Sequence, residues 1–225
     1  MGFLPLYVPS DPPLYKFARA LLVTCARLYG RYSVGGADNL PVTGPAIVVS
    51  NHHSDIDPII LGIGVPRTLH FMADAVQFRR AFVGRCIKRL AAFPIAKGQA
   101  DLESMRTALR LLEAGEVVTL FPEGDMFADG RFRPFGRGVG FLALRSGAPV
   151  VPAAINGAVG VPDRRWLRRP PVRLTVGEPL DLSDIAGQGR AAYAEAAARV
   201  EAAVRALHDG VRERTAEPAR RSATG

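Results

Sequence analysis

The sequence predicts an α/β fold: a single domain with a mixed, largely parallel sheet flanked by helices. Three observations carry this. Short apolar runs rich in β-branched residues recur along the chain, segments of helical periodicity separate them, and no stretch rich in Gly and Ser divides the sequence. With 225 residues, 48% of them hydrophobic, the chain is long enough to bury one substantial core, and its length favours one domain over two.

Taken in order, residues 14 to 29 place Leu14, Phe17, Leu21, Leu22, Cys25 and Leu28 at helical spacing, with Lys16, Arg19 and Arg27 supplying a basic component. This pattern predicts an N-terminal amphipathic helix, lying either in a lipid headgroup layer or against the domain itself. The apolar stretch is too short and too charged to span a bilayer. Strands are then expected at 46–50, 69–73, 93–96, 117–121, 150–155 and 172–176; several of these runs are continuous and β-branched instead of alternating and so suit burial on both faces. Helical patterns occupy 58–64, 75–90, 101–114 and 138–146, and an alanine-rich helix covers 191–207. The expected organisation is an N-terminal membrane-associating segment over 1–39, a catalytic domain over 40–210 and a basic flexible tail over 211–225.

The formal charge of +8, from 29 Lys and Arg against 21 Asp and Glu, draws the chain to anionic surfaces: phosphorylated substrates, anionic headgroups or nucleic acid. Nucleic acid is set aside, since neither a recognition motif nor interleaved basic and aromatic residues are present. Cys25 and Cys86 are far apart and read as reduced thiols. Met1 leads into Leu4, Pro5 and a Ser10-Asp11-Pro12-Pro13 turn instead of a basic and then apolar leader, so a cytoplasmic location is expected.

Reactive groups in such sheets gather where strands end. Two stretches fit: Asn51-His52-His53-Ser54-Asp55-Ile56-Asp57-Pro58 after the first expected strand, and Phe121-Pro122-Glu123-Gly124-Asp125 after the fourth. On one continuous helix His52 and Asp57 would lie about 140° apart and could not pair. A turn brings them together, and Pro58 disfavours the α region for Asp57, so the helix is expected to begin only after the aspartate. A histidine oriented by a carboxylate can take a proton from an attacking hydroxyl. Asp57 also reads as a helix N-cap, a role compatible with the first. His53 and Asp55 add metal-ligating types, but no second ligand cluster accompanies them, and no metal is expected.

The first stretch resembles the His-four-residues-Asp motif of the glycerolipid acyltransferase family, whose best-known members are the 1-acylglycerol-3-phosphate acyltransferases. Order and spacing strengthen the likeness. Phe93-Pro94-Ile95-Ala96-Lys97-Gly98 resembles the second family block and Phe121-Pro122-Glu123-Gly124 the third; Arg133 to Gly138 and Ala148 to Ile155 match the later pattern. The resemblance covers about residues 40 to 180. It implies that His52 is the general base and Asp57 its partner, acting on an acceptor hydroxyl that attacks an acyl thioester. It further implies that Ser54, Lys97, Phe121, Pro122, Glu123, Gly124 and Arg137 bind substrate. No cofactor is implied; acyl-coenzyme A or an acyl carrier protein is the co-substrate, and the acceptor is a lysolipid, most commonly 1-acylglycerol-3-phosphate. Lys97 and Arg137 supply cations for a phosphate, or are solvated surface charges, and Glu123 accepts from a hydroxyl or closes a structural ion pair.

Two departures stand out. The second block usually carries arginine where Lys97 stands, which replaces a bidentate fork by one ammonium. The third usually continues with threonine and arginine, where Asp125 and Met126 follow here. A different lipid, a neutral or glycosylated acceptor, and a non-catalytic lipid-binding role therefore stay open beside lysophosphatidate. Trp166 among Arg164, Arg165, Arg168 and Arg169 suggests peripheral contact with the inner face of the cell membrane.

Overall fold

The computed structural model describes Thr24 and residues 32–74, 93–95, 102–127, 129–158 and 171–221; of 73–74, 93–95 and 212–221 only the backbone is described. Among the described residues seven strands form one sheet: β1 (Tyr32–Gly35), β2 (Ala46–Ser50), β3 (Leu69–Asp74), β4 (Phe93–Ile95), β5 (Val117–Leu120), β6 (Val150–Asn156) and β7 (Val172–Val176). Their order is β1-β7-β6-β2-β5-β3-β4. From β6 through β2, β5 and β3 to β4 every neighbour is parallel; β7 runs antiparallel to β6, and β1 lies parallel to β7 at the edge. Among the described residues, apart from the single helical residue Thr24, four α-helices accompany the sheet: α1 (Asp57–Gly64), α2 (Leu102–Glu113), α3 (Gly138–Ser146) and α4 (Arg190–Arg221).

The sheet is mixed and largely parallel, as the β-branched runs require. All residues of β2 and β5 are buried, as are the first six of β6, because both faces of the centre are covered. Alternate residues of β2 serve opposite cores. Ile47 and Val49 face a cluster built with Ala108 and Leu112 of α2, Val139 and Leu142 of α3, and Val200 and Val204 of α4. Ala46 and Val48 face a second cluster containing Ile60 and Leu61 of α1, Leu69 and Phe71 of β3, and Leu174 of β7. Helices α3 and α4 meet where Gly140 lies so close to the Tyr193 carbonyl that a Cβ there would overlap it.

Three boundaries differ from expectation. Strand β1 is an addition; its Tyr-Ser-Val-Gly run is half-exposed and lacks an apolar pattern, and its pairing with β7 creates it. Residues 32–39 therefore belong to the sheet domain, and the N-terminal segment does not extend to residue 39. Helix α4 runs to Arg221, through most of the stretch expected to be a flexible tail, since His208 and Val211 continue its buried face past Leu207. The helices expected at 14–29 and 75–90 lie outside the described residues, apart from Thr24, which is helical. Among the described residues no helix is long and apolar enough to cross a membrane.

Candidate active site

Strand β2 is central, with β5 on one side and β6 on the other; Val49 pairs with Leu120, and Ser50 with Ala153. The chain leaves β2 for α1 on one face of the sheet and leaves β5 for α3 on the other. Adjacent parallel strands whose connections diverge open a crevice at their carboxyl ends, the usual place for a site in sheets of this kind. Residues 51–57 and 121–127 line this edge.

Asp57 organises the first segment. Its Oδ2 accepts from His52 Nδ1 at 3.0 Å and from the amides of His53 and Ser54, each at 2.7 Å, and its own amide donates to the Ser54 carbonyl at 3.0 Å. The side chain is wholly buried, with Oδ1 also buried and lacking a hydrogen-bond partner. Three donors thus converge on one oxygen, and an acceptor opposite Nδ1 holds the imidazole proton there. The lone pair is thereby left on Nε2, the state a general base requires. The His52 ring stacks on Phe121, with centroids 4.3 Å apart and planes 22° from parallel, and the side chain keeps 20% of its surface accessible.

The helix begins at Asp57 and not after it, because Ile60 donates to the Ile56 carbonyl at 2.9 Å and so wraps the first turn around the aspartate. No side chain caps this helix. The carboxylate reaches back to the loop amides instead of forward into the helix, so the expected N-cap role is not taken.

The second segment grips His52 by its main chain. Glu123 accepts from the His52 amide through Oε1 at 2.9 Å and from the Arg133 amide through Oε2 at 3.1 Å, while the Phe127 amide donates to the His52 carbonyl at 3.0 Å. Burial pushes the Glu123 carboxyl above the usual carboxylate range, and the two amide bonds oppose that shift. The Pro122 carbonyl accepts from Gly136 at 2.8 Å, and Gly124 turns the chain at φ +80°, a conformation open to glycine at little cost. Arg137 is exposed at the start of α3, next to Gly136. Asp125 is exposed and accepts from the Met126 amide at 2.9 Å. Of the residues singled out from the sequence, His52, Ser54, Asp57, Phe121, Pro122, Glu123 and Gly124 come together; Arg137 flanks them, and Lys97 lies outside the described residues.

His53 points away into the protein. It is buried, its Nδ1 lies 3.1 Å from Asn51 Nδ2, and its ring meets Phe132 and His208 edge-on at 5.5 and 6.0 Å. Burial lowers its pKa below the ordinary 6.5, with the nearby carboxylate of Asp57 opposing. Asp55 is exposed, and among the described residues no three His, Cys, Asp or Glu side chains form a metal-ligand group. Several contributors were given no role of their own from the sequence. Asn51 exchanges two hydrogen bonds with the main chain of Ile155, at 2.8 and 3.0 Å, and so locks the end of β2 to β6. Glu201, Arg205 and His208 read only as part of a helical face; the Glu201–Arg205 spacing marks a solvated pair as readily as a tie to the site.

A histidine oriented by a buried carboxylate at the switch point of an α/β sheet is an arrangement suited to transferases and hydrolases that activate a hydroxyl. The family model described as acyltransferase matches residues 31–156, and the chain belongs to the acyltransferase family. It is 31% identical over 174 residues to a 1-acyl-sn-glycerol-3-phosphate acyltransferase of Bacillus subtilis, covering 77% of this chain and 85% of that one. Its identity to the Pseudomonas aeruginosa enzyme of the same name is 29% over 176 residues, or 76% of this chain and 66% of that one. The fold is shared with the crystal structure of the 1-acyl-sn-glycerophosphate acyltransferase PlsC from Thermotoga maritima, at a TM-score of 0.64 and 23% identity, covering 89% of this chain and 84% of that one.

Proposed function

We propose that this enzyme moves a fatty acyl group from an acyl thioester to the free hydroxyl of a 1-acylglycerol-3-phosphate, a step of phospholipid synthesis, with His52 as general base and Asp57 as its orienting carboxylate. The bond from His52 Nδ1 to the buried Asp57 Oδ2 is the observation that carries this reading. Nε2 takes the hydroxyl proton as the alcohol oxygen attacks the thioester carbonyl carbon. Collapse of the tetrahedral intermediate breaks the C–S bond, and the proton passes from the imidazolium to the departing sulfur, giving ester and free thiol. Asp57 stabilises the imidazolium between these steps without itself taking the proton.

The donor is acyl-coenzyme A or acyl carrier protein, and the acceptor reaches the site from a membrane surface that the +8 charge favours. The acceptor assignment rests on the names of the Bacillus and Pseudomonas relatives. A second reading, an acceptor of lower or differently placed charge, is favoured by exposed Asp125, since an acid near a phosphate repels it.

Purified protein given one labelled acyl donor and a panel of phosphorylated and neutral lysolipids separates the two readings by which product accumulates. His52→Ala is expected to lower turnover by about 10³-fold or more with the fold intact. Wild-type turnover by that variant would sink the base assignment.

A further inference from the structure

We infer that Glu201, on the C-terminal helix, is a positioning residue for His52, acting through the segment 131–136. The inference rests on His52 being the base. It concerns a helix outside the part of the chain that the family model matches, which ends at residue 156.

Residues 131–136 form neither helix nor strand, so no ladder of their own holds them, and their amides need partners elsewhere. They lie between α4 and the active-site segment. On one side the Arg133 amide donates to Glu123, whose other oxygen holds the His52 amide, and the Gly136 amide donates to the Pro122 carbonyl. On the other side the Phe135 amide donates to Glu201 Oε2 at 2.8 Å. An unbroken path of hydrogen bonds and two short stretches of main chain thus joins α4 to the backbone of the base.

Three side chains of α4, Glu201, Arg205 and His208, stand at i, i+4 and i+7 and share one face. Arg205 Nε donates to Glu201 Oε1 at 2.8 Å, which fixes the carboxylate, and its guanidinium lies 4.7 Å from the ring centroid of Phe132. The ring of His208 meets the same Phe132 at 4.9 Å, and Phe132 in turn meets His53. An exposed Glu–Arg pair on one helix ordinarily contributes little. Here the second carboxylate oxygen leaves the helix and accepts an amide of the segment that carries Glu123's partner. Removing that acceptor loosens 131–136, lets Glu123 shift, and displaces the imidazole relative to the acceptor hydroxyl, a misplacement to which a proton transfer is sensitive.

The test compares Glu201→Leu, Glu201→Gln and Val204→Ala in the full chain, with steady-state kinetics and the proton NMR signal of His52 Nδ1–H. Leu keeps the helix but offers no acceptor; kcat is expected to fall roughly 10- to 100-fold with KM for the acyl donor nearly unchanged, and the Nδ1–H signal to shift or broaden. Gln keeps a carbonyl for the Phe135 amide and should stay within about threefold of wild type. Val204→Ala weakens the core packing of the same helix while leaving the Glu201 bonds in place, and should lower the melting temperature without that kcat loss. Equal kcat for the Leu and Gln variants, or a matching kcat loss in Val204→Ala at equal loss of stability, would overturn the inference. Should the Leu chain fail to fold, Glu201→Asp replaces it: the shortened carboxylate falls short of the Phe135 amide, and the same drop relative to Gln is expected. His52→Ala, run alongside, tells the two failures apart. Full turnover there removes the base itself, whereas an inert His52→Ala beside a fully active Glu201→Leu defeats only the role of α4.

Discussion

The two segments at the sheet edge are held in different ways. In 51–57 every donor to the carboxylate comes from within five residues of Asp57, so the His–Asp pair is a closed local turn. In 121–136 the bonds run far along the chain: Glu123 reaches back 71 residues to His52, and Phe135 reaches forward 66 residues to Glu201. A local turn assembles as soon as its few residues adopt the right dihedrals. The distant half exists only after sheet and helix have packed. The proposed base and its carboxylate therefore sit in the part that depends least on the rest of the fold, and the bonds to the His52 main chain come from the part that depends most on it.

This contrast is sharpest at Asp57. Asp57→Asn substitutes an amide group for one carboxylate oxygen and removes the charge that stabilises the imidazolium, so kcat is expected to fall about 10²- to 10⁴-fold while donor binding persists. A loss below tenfold in single-turnover assays would show that the local turn does not carry the chemistry. Glu123→Ala removes the carboxylate tie between the distant half and the His52 amide, with the Phe127 bond to the His52 carbonyl and the Asp57 bond left in place. It should cost roughly 10- to 100-fold in kcat. If it instead raised the acceptor KM with kcat unchanged, Glu123 would be a substrate contact and not a tie.

The smallest effect is expected at His53, which joins the two halves from below. Its pKa in the folded chain lies under the ordinary 6.5, so just below pH 6.5 the unfolded chain binds the proton and the folded chain does not. This group therefore lowers stability as pH falls from 6.5 toward the folded pKa, and contributes no such loss above 6.5. Between neutral pH and the acid end of this range the melting temperature of wild type should fall further than that of His53→Gln. Parallel curves throughout would show that His53 does not titrate differently on folding.

Much of this was legible in the sequence. The runs at 46–50, 117–121 and 150–155 announce buried parallel strands because β-branched residues without alternation suit a strand covered on both faces. His52 and Asp57 were legible because a turn ending in proline is a local event. Strand β1 was not, since Tyr-Ser-Val-Gly has no apolar pattern and becomes a strand only by pairing with β7, 140 residues further on. The part taken by Glu123 was half legible: its place in a loop at a strand end followed from the sequence pattern, but that both oxygens would be occupied by the main-chain amides of His52 and Arg133 did not.

By itself, then, the sequence determined the strands of the central sheet, the local turn that pairs imidazole with carboxylate, and the family to which the chain belongs. These depend on side-chain periodicity, proline geometry and motif spacing, which are properties of neighbours along the chain. Only the tertiary structure decided that Phe121 would stack on the His52 ring, that Glu123 would hold the His52 amide, and that Glu201 would hold the segment between. Each of those contacts joins residues more than 60 positions apart, and the separation is closed by the register of β2 against β5 and by the packing of α4 over the sheet, neither of which any short stretch of sequence contains.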